Sequence, residues 1–236
     1  MFEMESDSEE PDRVRREMRD HFPEVQPIEP QRVVLLGVLL EGGLVAVALV
    51  LGWLCNYRPL ATFPVSFDGV LEGLWLGLVA TVPMLIGLWL INRYPIGPFD
   101  DLKRIVDRMV LPLFRGVGVL GFAAISILAG LGEELLFRGF LQGALAEALC
   151  ERISPLAANV SAVMAASVLF GLMHPITRFY AILCFGVGIY LGCLWILTGN
   201  LLAPIVTHAL YDFVALVFLT RGSSQVGSSL RESTSL

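Results

Sequence analysis

Six apolar stretches run along the chain, at about 32–54, 70–92, 116–136, 157–174, 179–198 and 202–220. A helix needs roughly 20 apolar residues to cross a hydrocarbon layer ~30 Å thick, so each stretch predicts a spanning helix. The segment YPIGPFDDLKRIVDRMVLPLF at 94–114 carries too many charges to cross and is expected to lie along the membrane interface. The third stretch has no clear stop. FRGFLQGALAEALCER keeps a helical pattern to about 152, which predicts one long helix with a charged motif in its interior. Backbone polar groups in lipid must bond within their own segment, so helices are the plausible spanning form. The expected fold class is all-α: a polytopic transmembrane helical bundle of about six spans plus an interfacial segment. Small-xxx-small pairs at Gly73/Gly77, Gly139/Gly143 and Gly188/Gly192 permit close helix approach.

Composition agrees with the pattern. Of 236 residues, 56% are apolar and 16% charged, and the mean hydropathy is +0.72, well to the apolar side of soluble domains, which run to about 25% charged residues. The length suits one membrane domain, 32–220. It is flanked by an acidic tail at 1–31 and a Ser/Gly-rich tail at 221–236 that is expected to be disordered. The net charge of −6 is nearly all local, because residues 1–30 hold ten acids and four arginines. Within that tail, EEPDRVRREMRDHF fits either a solvated segment or a short amphipathic helix on the membrane surface. No cleavable signal peptide is expected in so acidic a start. No basic surface suggests a nucleic-acid partner. Cys55, Cys150, Cys184 and Cys193 are scattered and read as packing residues. Trp53, Trp75, Trp89, Tyr57 and Tyr94 fall near span ends and read as belt residues.

With six crossings, one side collects the arginines of the N-terminal tail, Arg93, Lys103, Arg104, Arg108, Arg115, Arg178, Arg221 and Arg231. The other side collects Arg58 and Arg152. The positive-inside rule then puts both termini in the cytoplasm.

Charges at the bilayer centre cost at least ~2.5–3.5 kcal/mol each on insertion scales. GEELLFRGF at 132–140 places three of them inside an apolar run. Glu134 and Arg138 stand at i, i+4 with the acid toward the N-terminus, the favoured order for a helical ion pair. Glu133 is rotated about 100° away and has no local partner. Two histidines are intramembrane. His174 ends SVLFGLMHP, one turn after Phe170 and just before the helix-stopping Pro175. His208 lies in PIVTHALYD, with Asp212 at i+4. Each could be a packing residue alone. Together they suggest that Glu133, His174, His208 and Asp212 share one cavity, since buried ionisable groups must meet each other or water. Glu41, in LLEGG of the first span, fits either the same cavity or a hydrogen bond to a neighbouring helix.

EELLFRG (Glu133, Glu134, Arg138), FGLMH (Phe170, His174) and HALYD (His208, Asp212) resemble, in order and spacing, the motifs EExxxR, FxxxH and HxxxN/D of the CPBP intramembrane protease family. That family includes CAAX prenyl endopeptidases and bacterial bacteriocin-processing, immunity or abortive-infection relatives. The run LTGNLLAPIVTHA also looks like the family, and the resemblance covers about 115–220. It implies a metal-independent glutamic endopeptidase needing no cofactor, acting on a peptide or membrane-protein substrate, located in a bacterial plasma membrane. Carried over, Glu133 assisted by His174 would activate a water, and His208 with Asp212 would stabilise the oxyanion. Glu134, Arg138 and Phe170 would support the site. Many members have Asn where this chain has Asp212. An ionised carboxylate cannot donate a hydrogen bond, so Asp212 must be protonated or must instead orient and charge His208.

Three other readings compete: a non-catalytic binding or immunity protein of the same family, a zinc hydrolase with Glu133, His174 and His208 as ligands, and a proton-coupled transporter. Depth also raises a conflict. Alternating crossings put Glu133 and His208 toward one leaflet and His174 toward the other, unless the long third helix carries Glu133 to mid-depth.

Overall fold

The computed structural model describes residues 28–233, with side chains described to 221. All regular structure among the described residues is helical. The helices are α1 (Pro30–Leu54), α2 (Phe67–Arg93), α3 (Pro98–Ile105), α4 (Val119–Cys150), α5 (Pro155–Leu172), α6 (Arg178–Thr198) and α7 (Leu202–Ser233). All but α3 are long and apolar enough to cross a membrane, α7 over Leu202–Arg221. The acidic tail expected at 1–31 lies almost wholly outside the described residues. Helix α7 continues to Ser233, past residue 221 where the sequence places the start of the second tail.

Local chemistry sets the ends. Ser66, Ser154 and Thr177 cap α2, α5 and α6 by accepting from Gly69 N (3.1 Å), Ala157 N (3.3 Å) and Tyr180 N (2.9 Å), satisfying amide donors that a helix start leaves free. Gly199, left-handed at φ 61°, ends α6. The segment 94–114 is no span. It forms α3, a π turn Val106–Val110 and a 3-10 turn Leu111–Phe114, with an exposed Asp100–Arg104 pair at 2.7 Å.

Helix α4 is continuous, as the missing stop signal predicts, but it is not uniform. Its α-helical part Val119–Glu134 passes into a π-helical segment Leu135–Gln142 and back to α-helix at Gly143–Cys150. A π segment closes its turns i→i+5 and is frequent at functional sites.

Helix α7 is central and packs mainly against α2 and α4. Helix α1 lies on α4, and α5 lies on α6 and on the second half of α4. Lipid tails give no hydrophobic drive for helix association, so close contact and interhelical hydrogen bonds supply it. A Cβ on Gly77 would sit 2.6 Å from Val206 Cβ and 2.8 Å from the Ala203 carbonyl. The Thr207 hydroxyl donates to Gly77 O at 3.1 Å, and Asn200 Nδ2 donates to Gly69 O at 2.8 Å.

The connection between α1 and α2 folds back onto this bundle. Thr62 Oγ1 accepts from Trp195 Nε1 at 2.9 Å, and the Thr62 carbonyl accepts from Leu201 N at 3.0 Å. Tyr57 is therefore not a belt residue. It is half-buried, edge-on to Phe140 at 6.3 Å, with its hydroxyl against Gly143. Burial, with Glu147 nearby, raises its phenol pKa.

The hairpin of α4 and α5 resolves the depth conflict. Glu133 is 17 residues from Cys150, about 25 Å at 1.5 Å per residue. The 18 residues of α5 return about 27 Å, so His174 comes back to the level of Glu133. Six crossings place the connections after α1 and after α2 on opposite sides. In a variant lacking the native cysteines, Leu60→Cys and Asp100→Cys should react with a membrane-impermeant maleimide from opposite sides of sealed vesicles. Labelling of both from one side would show that the crossing count is wrong.

Candidate active site

The centre of the site is a buried ion pair. Glu134 and Arg138 have side-chain exposures of 0% and 1%, and Arg138 Nη1 donates to Glu134 Oε1 at 2.7 Å. Arg138 Nη2 donates to the Gly188 carbonyl at 3.0 Å, and one π-segment step later Gln142 Nε2 donates to the Gly192 carbonyl at 3.1 Å. Both acceptors are glycines. The missing Cβ atoms let α6 pack closely: one on Gly188 would lie 2.9 Å from Ser167 Cβ of α5, and one on Gly192 2.7 Å from Gln142 Oε1 of α4. The Arg138 guanidinium also lies over the Phe170 ring, 4.8 Å from its centroid.

Glu134 has a second partner that the sequence reading missed. His208 Nδ1–H donates to the same oxygen, Oε1, at 2.8 Å. The two residues are 74 apart in the chain, and no local spacing could reveal the bond. What permits it is the α4–α7 crossing, where a Cβ on Gly130 would lie 2.7 Å from the Ile205 carbonyl and 2.8 Å from Ala209 Cβ. On its other side, His208 Nε2 faces Asp212 Oδ2 at 3.4 Å.

His174 follows the C-terminal turn of α5. Its Nδ1 is 2.7 Å from the Phe170 carbonyl oxygen. A carbonyl only accepts, so Nδ1 carries the hydrogen and Nε2 is left to face the cavity. There Nε2 lies 3.9 Å from Glu133 Oε2, beyond a direct hydrogen bond but close enough for both groups to reach one water. Glu133 Oε2 is buried and has no hydrogen-bond partner. Glu133 interacts electrostatically with His208, Asp212 and the Glu134–Arg138 pair. Phe170 connects the two histidines, with ring centroids 4.7 Å from His174 and 6.0 Å from His208.

The expected residues thus form two linked sets. Glu133 meets His174, while Asp212, His208, Glu134 and Arg138 form a chain of polar contacts. Glu41, which the sequence left between two readings, has Glu133, His208, Asp212 and His174 as its charged neighbours, and its Oε2 is buried without a hydrogen-bond partner among the described residues. Among the described residues no three His, Cys, Asp or Glu side chains are grouped to hold a metal ion.

Residues 115–214 match the model of a family described as type II CAAX prenyl endopeptidase, Rce1-like. The matched stretch contains all three motifs and agrees with the resemblance they carry. No curated protein and no solved structure matches the chain.

Removing Arg138 leaves Glu134 buried with only His208 to oppose its charge. Breaking one partner of a buried pair costs about 3–5 kcal/mol. Arg138→Met should lower the unfolding free energy in detergent by that order, and the double variant Glu134→Gln/Arg138→Met should recover part of it. A loss no larger than that from Arg104→Met, in the exposed pair, would show that the buried pair does not hold the bundle.

Proposed function

We propose that this chain is a CAAX-type intramembrane endopeptidase that uses Glu133 as general base. Supporting it above all is the facing of Glu133 Oε2 and His174 Nε2 at 3.9 Å, with the carboxylate oxygen buried and unpartnered. The family match over residues 115–214 supplies the reaction class.

In this reading a water bonds both Glu133 and the free Nε2 of His174. As its oxygen attacks the scissile carbonyl carbon, its proton passes to Glu133. The carbonyl π electrons move onto oxygen and form a tetrahedral oxyanion. His208 stabilises that charge. A ring held between Glu134 and Asp212 can carry a proton on each nitrogen, and Nε2–H, 3.4 Å from Asp212 Oδ2, is then shared with the oxyanion as its donor. Asp212 orients and charges His208 and does not itself donate. This answers the departure from Asn: an amide is not needed where the imidazolium does the donating. When the C–N bond breaks, Glu133 returns its proton to the departing amine. The Glu134–Arg138 pair, Phe170 and the Gly188 carbonyl hold the chain in register. The substrate class is a peptide or membrane-associated protein whose scissile bond reaches the bilayer, and the family description points first to a prenylated CAAX terminus.

The test uses the full chain in lipid nanodiscs, with a fluorescence-quenched farnesylated peptide ending in a CAAX sequence and its unprenylated counterpart. Cleavage is expected to persist in excess chelator. Glu133→Gln should lower kcat by about 10²–10⁴-fold, and His208→Ala by about 10²–10³-fold. Zinc-dependent cleavage, or full activity in Glu133→Gln, would overturn the reading.

A further inference from the structure

The two groups set to act on water are not bonded to each other. Glu133 Oε2 and His174 Nε2 stand 3.9 Å apart, beyond a direct hydrogen bond, so the scaffold must hold their separation. Glu133 is fixed through its neighbour Glu134. His174 has less to hold it. It lies just past Leu172, the last residue of α5, and Leu172, Met173, Pro175 and Ile176 around it are exposed. Its own side chain is 25% exposed. Its hydrogen bond from Nδ1 to the Phe170 carbonyl, at 2.7 Å, is made at one corner of the ring. A pivot there swings Nε2, the atom that faces Glu133. The Phe170 ring, 4.7 Å away between centroids, belongs to the same helix and moves with it.

A ring from another helix also reaches His174. Tyr180 of α6 has its centroid 6.1 Å from that of His174, with the planes 65° apart, an edge-to-face arrangement that aromatic pairs favour. Tyr180 is outside the three motifs, and local features put it there. Thr177 accepts from the Tyr180 N–H at 2.9 Å and so caps the first turn of α6. Phe179, one residue before, packs edge-on to Phe99 of α3 at 4.9 Å. Gly171 lets the end of α5 meet this turn: a Cβ there would lie 2.6 Å from the Ala181 carbonyl oxygen and 3.1 Å from Phe185 Cβ. Tyr180 itself packs against the buried cluster of Phe137, Phe170 and Cys184, drawn from α4, α5 and α6. Helix α6 is in turn tied to α4 by the bonds from Arg138 to Gly188 and from Gln142 to Gly192. A path of contacts thus runs from α4, which carries Glu133, through α6 and Tyr180 to the imidazole.

We propose that Tyr180 is a positioning residue of the reaction centre: its ring, carried on a helix tied to α4, holds the His174 imidazole where Nε2 and Glu133 bond one water together. The ring does this, and the hydroxyl is not required. Tyr180 acts through His174 and adds no chemical step. This rests on the reading of Glu133 and His174 as the pair that activates water.

The experiment has two arms, on the full chain in nanodiscs. The first needs no activity. Solid-state NMR of isotope-labelled histidine follows the ring nitrogens of His174, assigned by their loss in His174→Asn. One sharp set of signals is expected in the parent and in Tyr180→Phe, and a split or broadened set in Tyr180→Leu. An unchanged His174 set in Tyr180→Leu overturns the proposal. The second arm measures kcat and KM on the quenched farnesylated peptide. A misplacement of an ångström can cost about 10²-fold. Tyr180→Leu keeps apolar bulk without the ring, and should lower kcat by about ten- to hundredfold with KM within about twofold. Tyr180→Phe should stay within about threefold of the parent, as should Phe179→Leu, which disturbs the same turn but not the ring beside His174. An unchanged kcat in Tyr180→Leu overturns the proposal. So does a loss carried by KM, or an equal loss in Tyr180→Phe or in Phe179→Leu. If Tyr180→Leu does not fold, Tyr180→Met is read in its place. If the parent itself cleaves nothing, the functional reading fails while the NMR arm still decides whether Tyr180 holds the imidazole.

Discussion

The contact on which the rest of this structure depends is the ion pair between Glu134 and Arg138, at 2.7 Å and essentially without solvent exposure. In a bilayer such a pair cannot be screened or hydrated, so everything around it must satisfy it. Arg138 reaches α6 through the Gly188 carbonyl and α5 through the face of Phe170. Glu134 reaches α7 through His208. One residue pair on α4 thereby ties together three other helices at a single level. Fixing that level also fixes where Glu133 points, because the two acids are adjacent on one helix.

The π-helical segment 135–142 belongs to the same constraint. It carries Arg138 and Gln142, whose donors meet carbonyls four residues apart on α6. The match of spacing across two helices locks the register of α4 against α6. The hairpin of α4 and α5, with arms of nearly equal length, then returns His174 to the depth of Glu133. Convergence of three distant motifs is thus a matter of helix length, register and close glycine contacts.

Much of this was legible in the sequence. The six span-length helices, the charged segment 94–114 that forms no span, the unbroken third helix and the Glu134–Arg138 pair follow from hydropathy, charge and i, i+4 spacing. These are local signals, and the structure agrees with them. What escaped was non-local. The π segment leaves no periodic trace in a run as uniformly apolar as LLFRGFL. The bond from His208 to Glu134 needs the α4–α7 crossing, and Glu41 needs the α1–α4 crossing. Both crossings depend on glycines, Gly130 and Gly132, that the glycine pairs read from the sequence did not include. Tyr57 looked like an interface aromatic because it falls just past the end of the first span. The contacts of Thr62 with Trp195 and Leu201 pull that loop onto the bundle.

Satisfaction of buried polar groups separates support from chemistry. Six buried side-chain polar atoms lack a hydrogen-bond partner among the described residues: Glu41 Oε2, Ser126 Oγ, Glu133 Oε2, Glu134 Oε2, Arg138 Nε and Gln142 Oε1. Glu134, Arg138 and Gln142 each satisfy another atom of the same side chain, so their deficit is partial. Glu41 and Glu133 have no hydrogen bond of that kind. An unpaired carboxylate in a membrane interior is expensive and persists only where something else compensates. A hydrolytic site has that compensation to offer, since water, a proton and a substrate amide all bind carboxyl oxygens. The two least satisfied acids sit on touching backbones of α1 and α4. That crossing gathers two of the unpartnered carboxyl oxygens, and Glu133 is the acid to which the chemistry is assigned.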